Sequence, residues 1–299
     1  MTELVRRYGG LFGGIILAAL LGGMAVSWMI GARGLPGPLL LLGRHVAGGA
    51  IAPVLLLLAM LTAVGIVVAR LLNAAVALLV MGCGLGVLAM QAGGASDLAF
   101  CGAPAARIGA ESVLWGVLLL PCLVALFTVG GMLPDVDPPA TPGAARGSGE
   151  SLTSHSLASA FSGRAWLGAL AGLLAIPAAW IVLRNDLKGQ ALAAAVIGGL
   201  VAGTVGRLWS PRTQPILLVS ATLVLLGLTQ VVLSRMVSGP FADAFVRNTA
   251  PRLLRVAPVD LAAGVLAGVG LGLGWARSFM REPKPTAPAD LRRVPGVAG

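Results

Sequence analysis

The sequence predicts an all-α, polytopic transmembrane helical bundle of about eight spans. Hydrophobic residues fill 57% of the 299 positions and charged residues only 11%. A soluble domain carries roughly 25% charged residues, so this chain cannot clothe a water-facing surface. The apolar residues come in continuous runs of membrane length, not in the short alternating segments of a barrel. Lipid offers the backbone no hydrogen-bond partners, and helices satisfy that demand within each run.

Taken in order, the first run is Gly10 to Ala32, preceded by Arg6 and Arg7. It is longer than the h-region of a signal peptide and reads as a retained span with a basic anchor. From Ala47 to Gln91 the chain is apolar except for Arg70, Asn73 and weakly polar residues. As a single helix those roughly 45 residues would reach about 67 Å, over twice the bilayer core. The chain must turn back, and the only polar pair near the middle places a hairpin at Arg70 and Asn73, between spans Ala47–Ala69 and Leu71–Gln91. A polar interval then leads to a fourth span, Ser112–Leu133.

Residues 134–163 form the longest stretch without an apolar run. Rich in Pro, Gly, Ser and Thr, they read as a flexible linker that buries too little to offset chain entropy. Beyond it lie Ala165–Leu183, Gly189–Trp209, Ile216–Ser234 and a short last run, Leu261–Ala276, which snorkelling of Arg277 would extend to Met280. Residues 281–299 are Pro-rich and charged and read as a disordered tail. The organisation expected is therefore a first membrane half (1–133), the linker (134–163), a second membrane half (164–280) and the tail (281–299).

Landmarks recur in the two halves and point to two parallel four-helix units. Trp28 and Trp180 close the first and fifth runs, and Arg70 to Gln91 brackets the third as Arg207 to Gln230 brackets the seventh. DLAF at 97–100 precedes Ala103, Pro104, Arg107 and Glu111, while DAF at 243–245 precedes Ala250, Pro251, Arg252 and Asp260. An even number of spans per half would make such repeats parallel, related by an axis along the membrane normal.

The formal charge of +10 comes almost wholly from Arg, placed mostly between apolar runs where it anchors helix ends. Basic residues are not interleaved with aromatics as a nucleic-acid face would require, so no nucleic acid is expected as a partner. A slight excess of Lys and Arg on the side of the termini places both termini in the cytoplasm of a prokaryotic inner (plasma) membrane. The glycines of GVGLGLG (268–274) lie inside an apolar run and lack the strand and exposed turn of a nucleotide loop, which excludes nucleotide. Cys83, Cys101 and Cys122 are widely spaced and the chain has only 2 His, so neither a metal site nor a cofactor is expected. GxSxG and HExxH are missing from the sequence, and no catalytic residues are assigned.

Small residues four apart (Gly10, Gly14, Ala18 and Gly22; Gly264, Gly268 and Gly272) mark faces for close helix packing, within the bundle or between copies. Glu111 and Asp260 stand just before the fourth and eighth spans, where a carboxylate complements a helix N-terminus. Together with Gln91 and Gln230 they are the candidates for a polar or transport site. Gly22–Gly23 and Pro177, at matching depth in spans one and five, are candidate helix interruptions of the kind that line transporter sites.

Two functions fit this reading. One is a non-catalytic membrane scaffold or subunit of a membrane complex, with the lipid bilayer and membrane proteins, or further copies of the chain, as partners. The other is a transporter or permease-like protein moving a small solute between the halves. Scarcity of charge within the spans favours the first. A polar-lined pocket between spans one and five would support transport, and a dry, tightly packed centre would support scaffolding.

Overall fold

The structure, a computed structural model, describes residues 2–28 (side chains from Tyr8 onward), 39–41, 51–131, 160–210 and 214–280. Most of the expected linker, the tail, Arg44, His45 and His155 lie outside the described residues. Eight helices among the described residues are long and apolar enough to cross a membrane. The chain is an all-α polytopic bundle.

In chain order the helices are α1 (Thr2–Trp28), α2 (Ile51–Leu71), α3 (Ala74–Gln91), the short α4 (Ala95–Phe100) and α5 (Ala105–Gly130). They continue with α6 (Gly163–Ala169) and α7 (Ala175–Val182), which are two pieces of one span, then α8 (Lys188–Trp209) and α9 (Pro215–Ser234). The short α10 (Phe241–Val246) and α11 (Pro258–Phe279) complete the order. Alternate spans run in opposite directions. Hence α4, α10 and the α7–α8 turn share one end of the bundle, here the distal end, opposite the start of α1.

The hairpin sits where the polar pair placed it, and the side chains explain why. Asn73 N-caps α3 by accepting from Val76 N at 2.9 Å. Arg70 Nε donates at 3.0 Å to the Val129 carbonyl, one of the orphan acceptors at the end of α5. Two spans differ from expectation. α5 begins at Ala105, directly after Pro104, because the Ala-rich AARIGAE segment joins the helix despite its charges. α11 runs from Pro258, suited to a first helical turn, to Phe279, with Arg277 in its last turn.

The expected interruption at Gly22–Gly23 does not occur. α1 is continuous there, and Gly22 instead lets the Gly84 carbonyl of α3 approach where a Cβ would stand. Span five is interrupted, with a 3₁₀ segment, Leu170–Leu174, between α6 and α7. Pro177 accounts for it, since it supplies no N–H to the carbonyl four residues earlier and its ring crowds that turn.

The centre of the bundle is α11, with 16 of its 22 residues buried. It packs along α8 of its own half and along α3 of the other half. α5 does the corresponding thing, packing on α2 of its own half and on α9 of the other. α1 rests on α2 and α3, and the interrupted span rests on α8 and α9. The stripes of small residues are used inside the chain. A Cβ at Gly82 would lie 2.5 Å from Ala267 N, and one at Gly199 would lie 2.8 Å from Val265 O. Gly109 and Gly227 face each other across the α5–α9 crossing, each with the other's carbonyl within 2.8 Å of its Cβ position. Such backbone proximity is how helices associate in lipid, where burial of apolar side chains provides no net drive.

These contacts set a contrast between glycines. Gly199→Val should place two methyl groups in the α8–α11 seam and cost ~3 kcal/mol or more. Gly86→Val, at a position with open space around it, should change stability by less than ~0.5 kcal/mol. Thermal aggregation followed by size-exclusion chromatography checks this. Equal tolerance of both variants would remove the basis for a close seam.

Candidate functional site

Three adjoining groups of polar side chains lie at the distal end, and buried Arg207 and Gln214 lie at the other. The first is built on α5. Because α5 starts at Ala105, Glu111 is a fully buried residue two turns into the helix, not a residue preceding it. Its Oε2 accepts from Leu41 N at 2.8 Å, which fastens the α1–α2 connection onto α5. The next residue, Ser112, donates to Gln230 Oε1 at 2.7 Å, linking α5 to α9.

Gln230, 1% exposed, is the hub of the second group. Its Nε2 donates to the carbonyls of Leu253 at 2.8 Å and Val256 at 3.1 Å. Those carbonyls belong to the short 3₁₀ turn Arg252–Arg255 and the residue after it, where backbone acceptors would otherwise be buried without donors. Arg255 stiffens the same loop. Its guanidinium donates to Ala250 O at 3.1 and 3.0 Å and to Asn248 Oδ1 at 2.8 Å. Arg252 lies 4.6 Å from the centroid of the Trp180 ring, a cation–π contact that ties the loop to α7.

The third group is an ion pair. Asp260, third residue of α11 and 1% exposed, has Oδ1 2.8 Å from Lys188 Nζ, the first residue of α8. Lys188 also donates at 3.0 Å to the Gly93 carbonyl just beyond α3. One ammonium thus joins both halves of the chain. The carboxylate at an N-terminus gains from the helix dipole, and its charge is matched by a lysine that is itself only 19% exposed.

Of the four sequence candidates, Glu111, Gln230 and Asp260 are buried in this layer, while Gln91 reaches the same end of the bundle outside its hydrogen-bonded groups. Gln91 is the last residue of α3 and exposed. The proposed match between Gln91 and Gln230 therefore has no counterpart in environment. Ser112, Lys188, Asn248 and Arg255 belong to the layer and were not singled out from sequence. Lys188 carried one legible signal, as one of two lysines in an Arg-rich chain, placed at the start of an apolar run.

Deeper in the bundle, Trp115 Nε1, Ser220 Oγ and Thr222 Oγ1 are buried without a hydrogen-bond partner. Ser220 and Thr222 stand two apart on α9, on opposite sides of the helix, so they do not converge on one ligand. Among the described residues no group of three or more His, Cys, Asp or Glu could hold a metal ion. Donors and acceptors of this layer serve helix ends, a loop and the Lys188–Asp260 pair, and among the described residues the Asp260 carboxylate makes no hydrogen bond beyond that pair. Comparison of the chain with protein-family models, curated proteins and solved structures yields no match.

Removing one partner of the ion pair should cost more than removing both. Lys188→Met leaves a buried carboxylate uncompensated and should destabilise by ~3 kcal/mol or more, whereas Lys188→Met with Asp260→Asn should recover most of that loss. Gln230→Leu should cost ~1–3 kcal/mol by stranding two carbonyls, and Gln91→Leu should be neutral. Denaturation of the purified variants gives these differences. A double variant no better than Lys188→Met would show that the pair does not act as a unit.

Proposed function

We propose that the protein is a non-catalytic integral membrane scaffold, a subunit of a membrane complex, seated in a prokaryotic plasma membrane with both termini in the cytoplasm. The observation that carries this reading is the way α11 and α5 each pack against a helix of the other half through glycine-to-backbone contacts. Alternating access needs two halves that rock against each other around a central site. Here rocking would have to open seams in which the backbones of the two halves approach closely at Gly82, Gly270, Gly109 and Gly227. A centre packed in this way suits a rigid platform that presents fixed outer faces. Those faces are apolar, with Leu20, Ile181 and Val232 among their exposed side chains.

One observation favours transport as the second reading. The interruption at Leu170–Leu174 in span five is the type of feature that lines solute sites. It packs on α8 and α9, with Thr222 of α9 filling the place of a Cβ at Gly172. That contact supports a local proline-driven kink over an open passage.

Purification in mild detergent after brief cross-linking in native membranes tests the proposal. A scaffold should co-purify with a membrane protein in fixed stoichiometry. A lone, monodisperse protein that accelerates solute flux in vesicles would replace this reading with the transporter. For orientation, the exposed native Cys101 at the distal end should react with a membrane-impermeant maleimide added outside intact cells, and protection of that thiol would invert the assigned topology.

A further inference from the structure

We propose that residues 2–131 and 160–280 are two copies of one five-helix unit, related by a twofold axis along the membrane normal, with the last long helix of each copy exchanged onto the other. In this reading α4 and α10 are the same element seen twice. Both are six residues long, both fall between the third and fourth spans of their half, and both carry Asp at the third position.

The two short helices end by one hydrogen-bond scheme, bond for bond. In α4, Cys101 N donates to Asp97 O, Gly102 N to Ala99 O and Ala103 N to Leu98 O. In α10, Arg247 N donates to Asp243 O, Asn248 N to Phe245 O and Thr249 N to Ala244 O. Each is a complete Schellman cap, and each places a left-handed residue at the same step, Gly102 at φ 81° and Asn248 at φ 56°. Asn is the residue other than Gly that tolerates this conformation best. Both caps run on into Ala-Pro, at Ala103–Pro104 and, one residue later in the count, at Ala250–Pro251.

A Schellman cap alone is common. The packing makes this pair specific. α4 and α10 contact each other and share a separate apolar cluster that includes Ala95, Leu98, Phe241 and Ala244. Ala95 corresponds to Phe241 and Leu98 to Ala244, so equivalent positions of the two helices are buried in one shared cluster, as a twofold axis requires.

The long helices repeat the relation. α5 packs on α2 and α9, and α11 packs on α8 and α3, which is the same statement with the halves interchanged. Each exchanged helix carries one buried carboxylate that holds the connection into the second span of its half. Glu111 holds Leu41 between α1 and α2, and Asp260 holds Lys188 at the start of α8.

The test is a reciprocal exchange in the full-length chain. Residues 95–104 are replaced by the segment 241–251, and residues 241–251 by the segment 95–104. Across a twofold axis the exchange returns every interface side chain to its partner from the other side. Without that axis it sets Phe241 and Leu98 in the wrong places. The expected result is a monodisperse yield within about twofold of the unaltered chain, with either single replacement at least about tenfold lower because it duplicates one side of the interface. The point variants Gly102→Asn and Asn248→Gly should both remain folded, whereas Gly102→Val and Asn248→Val should not. If the double exchange aggregates while Gly102→Asn and Asn248→Gly stay folded, the helices share only a local cap and the proposal fails. It fails equally if those two variants do not fold, because the left-handed positions are then not interchangeable.

Discussion

In lipid, apolar side chains gain nothing by leaving the solvent for each other, so the bundle depends on how closely its backbones can approach. That constraint is met by the glycines of α11, α8, α3, α5 and α9. Gly264, Gly268 and Gly272 of α11 lie against α8, with Val196 and Leu200 carbonyls occupying the space of the latter two's missing side chains. Gly270, on another side of the same helix, meets Ala75 and Leu79 of α3. A single helix therefore makes close contact in two directions, once within its own half and once across to the other. Dispersion and hydrogen bonding over such a seam add in many small increments. Glycines that meet nothing, such as Gly9, Gly13 and Gly274, lie outside these seams.

The polar residues follow from the same constraint. Buried helix ends leave carbonyls and N–H groups that neither lipid nor water satisfies, and the distal end contains the turns where many such groups collect. Gln230 fills two of these needs with one amide, Arg255 serves a whole loop, and Glu111 takes a backbone N–H from a distant segment. Lys188 is paired with the Asp260 carboxylate, and it reaches across to Gly93 in the other half. These contacts tie segments far apart in sequence. Inside the bundle, glycine-to-backbone packing is joined by hydrogen bonds such as Thr204 Oγ1 to the Gly272 carbonyl at 3.2 Å.

The number and order of spans were legible because membrane length is read directly from apolar runs. The Arg70–Asn73 hairpin was legible too, since a 45-residue run of about 67 Å must fold back somewhere and the polar pair was the cheapest place. Span ends were harder. AARIGAE looks like a loop by charge, yet it is helical, and moving the helix start by two turns changes Glu111 from an end residue into a buried one. Gly22–Gly23 looked like a break because glycine is a poor helix former in water, whereas in this bundle it marks a crossing with Gly84. The pairings of Lys188 with Asp260 and of Ser112 with Gln230 join residues 72 and 118 positions apart. No local spacing announces them. The likeness of DLAF and DAF was visible as letters, but its geometric content, two matching helix caps, lies in hydrogen bonds that composition does not encode.

The central claim is that the two halves are locked together by α5 and α11, independently of the chain that joins them. The direct measurement is to place a protease site between residues 140 and 150 of the full chain and cleave after insertion in native membranes. The purified product is then compared with the uncut protein in mild detergent. The account predicts one species with the elution and thermal midpoint of the uncut protein, resolving into two fragments only in denaturing detergent. Fragments that separate on cleavage, or rejoin only at high concentration, would contradict it.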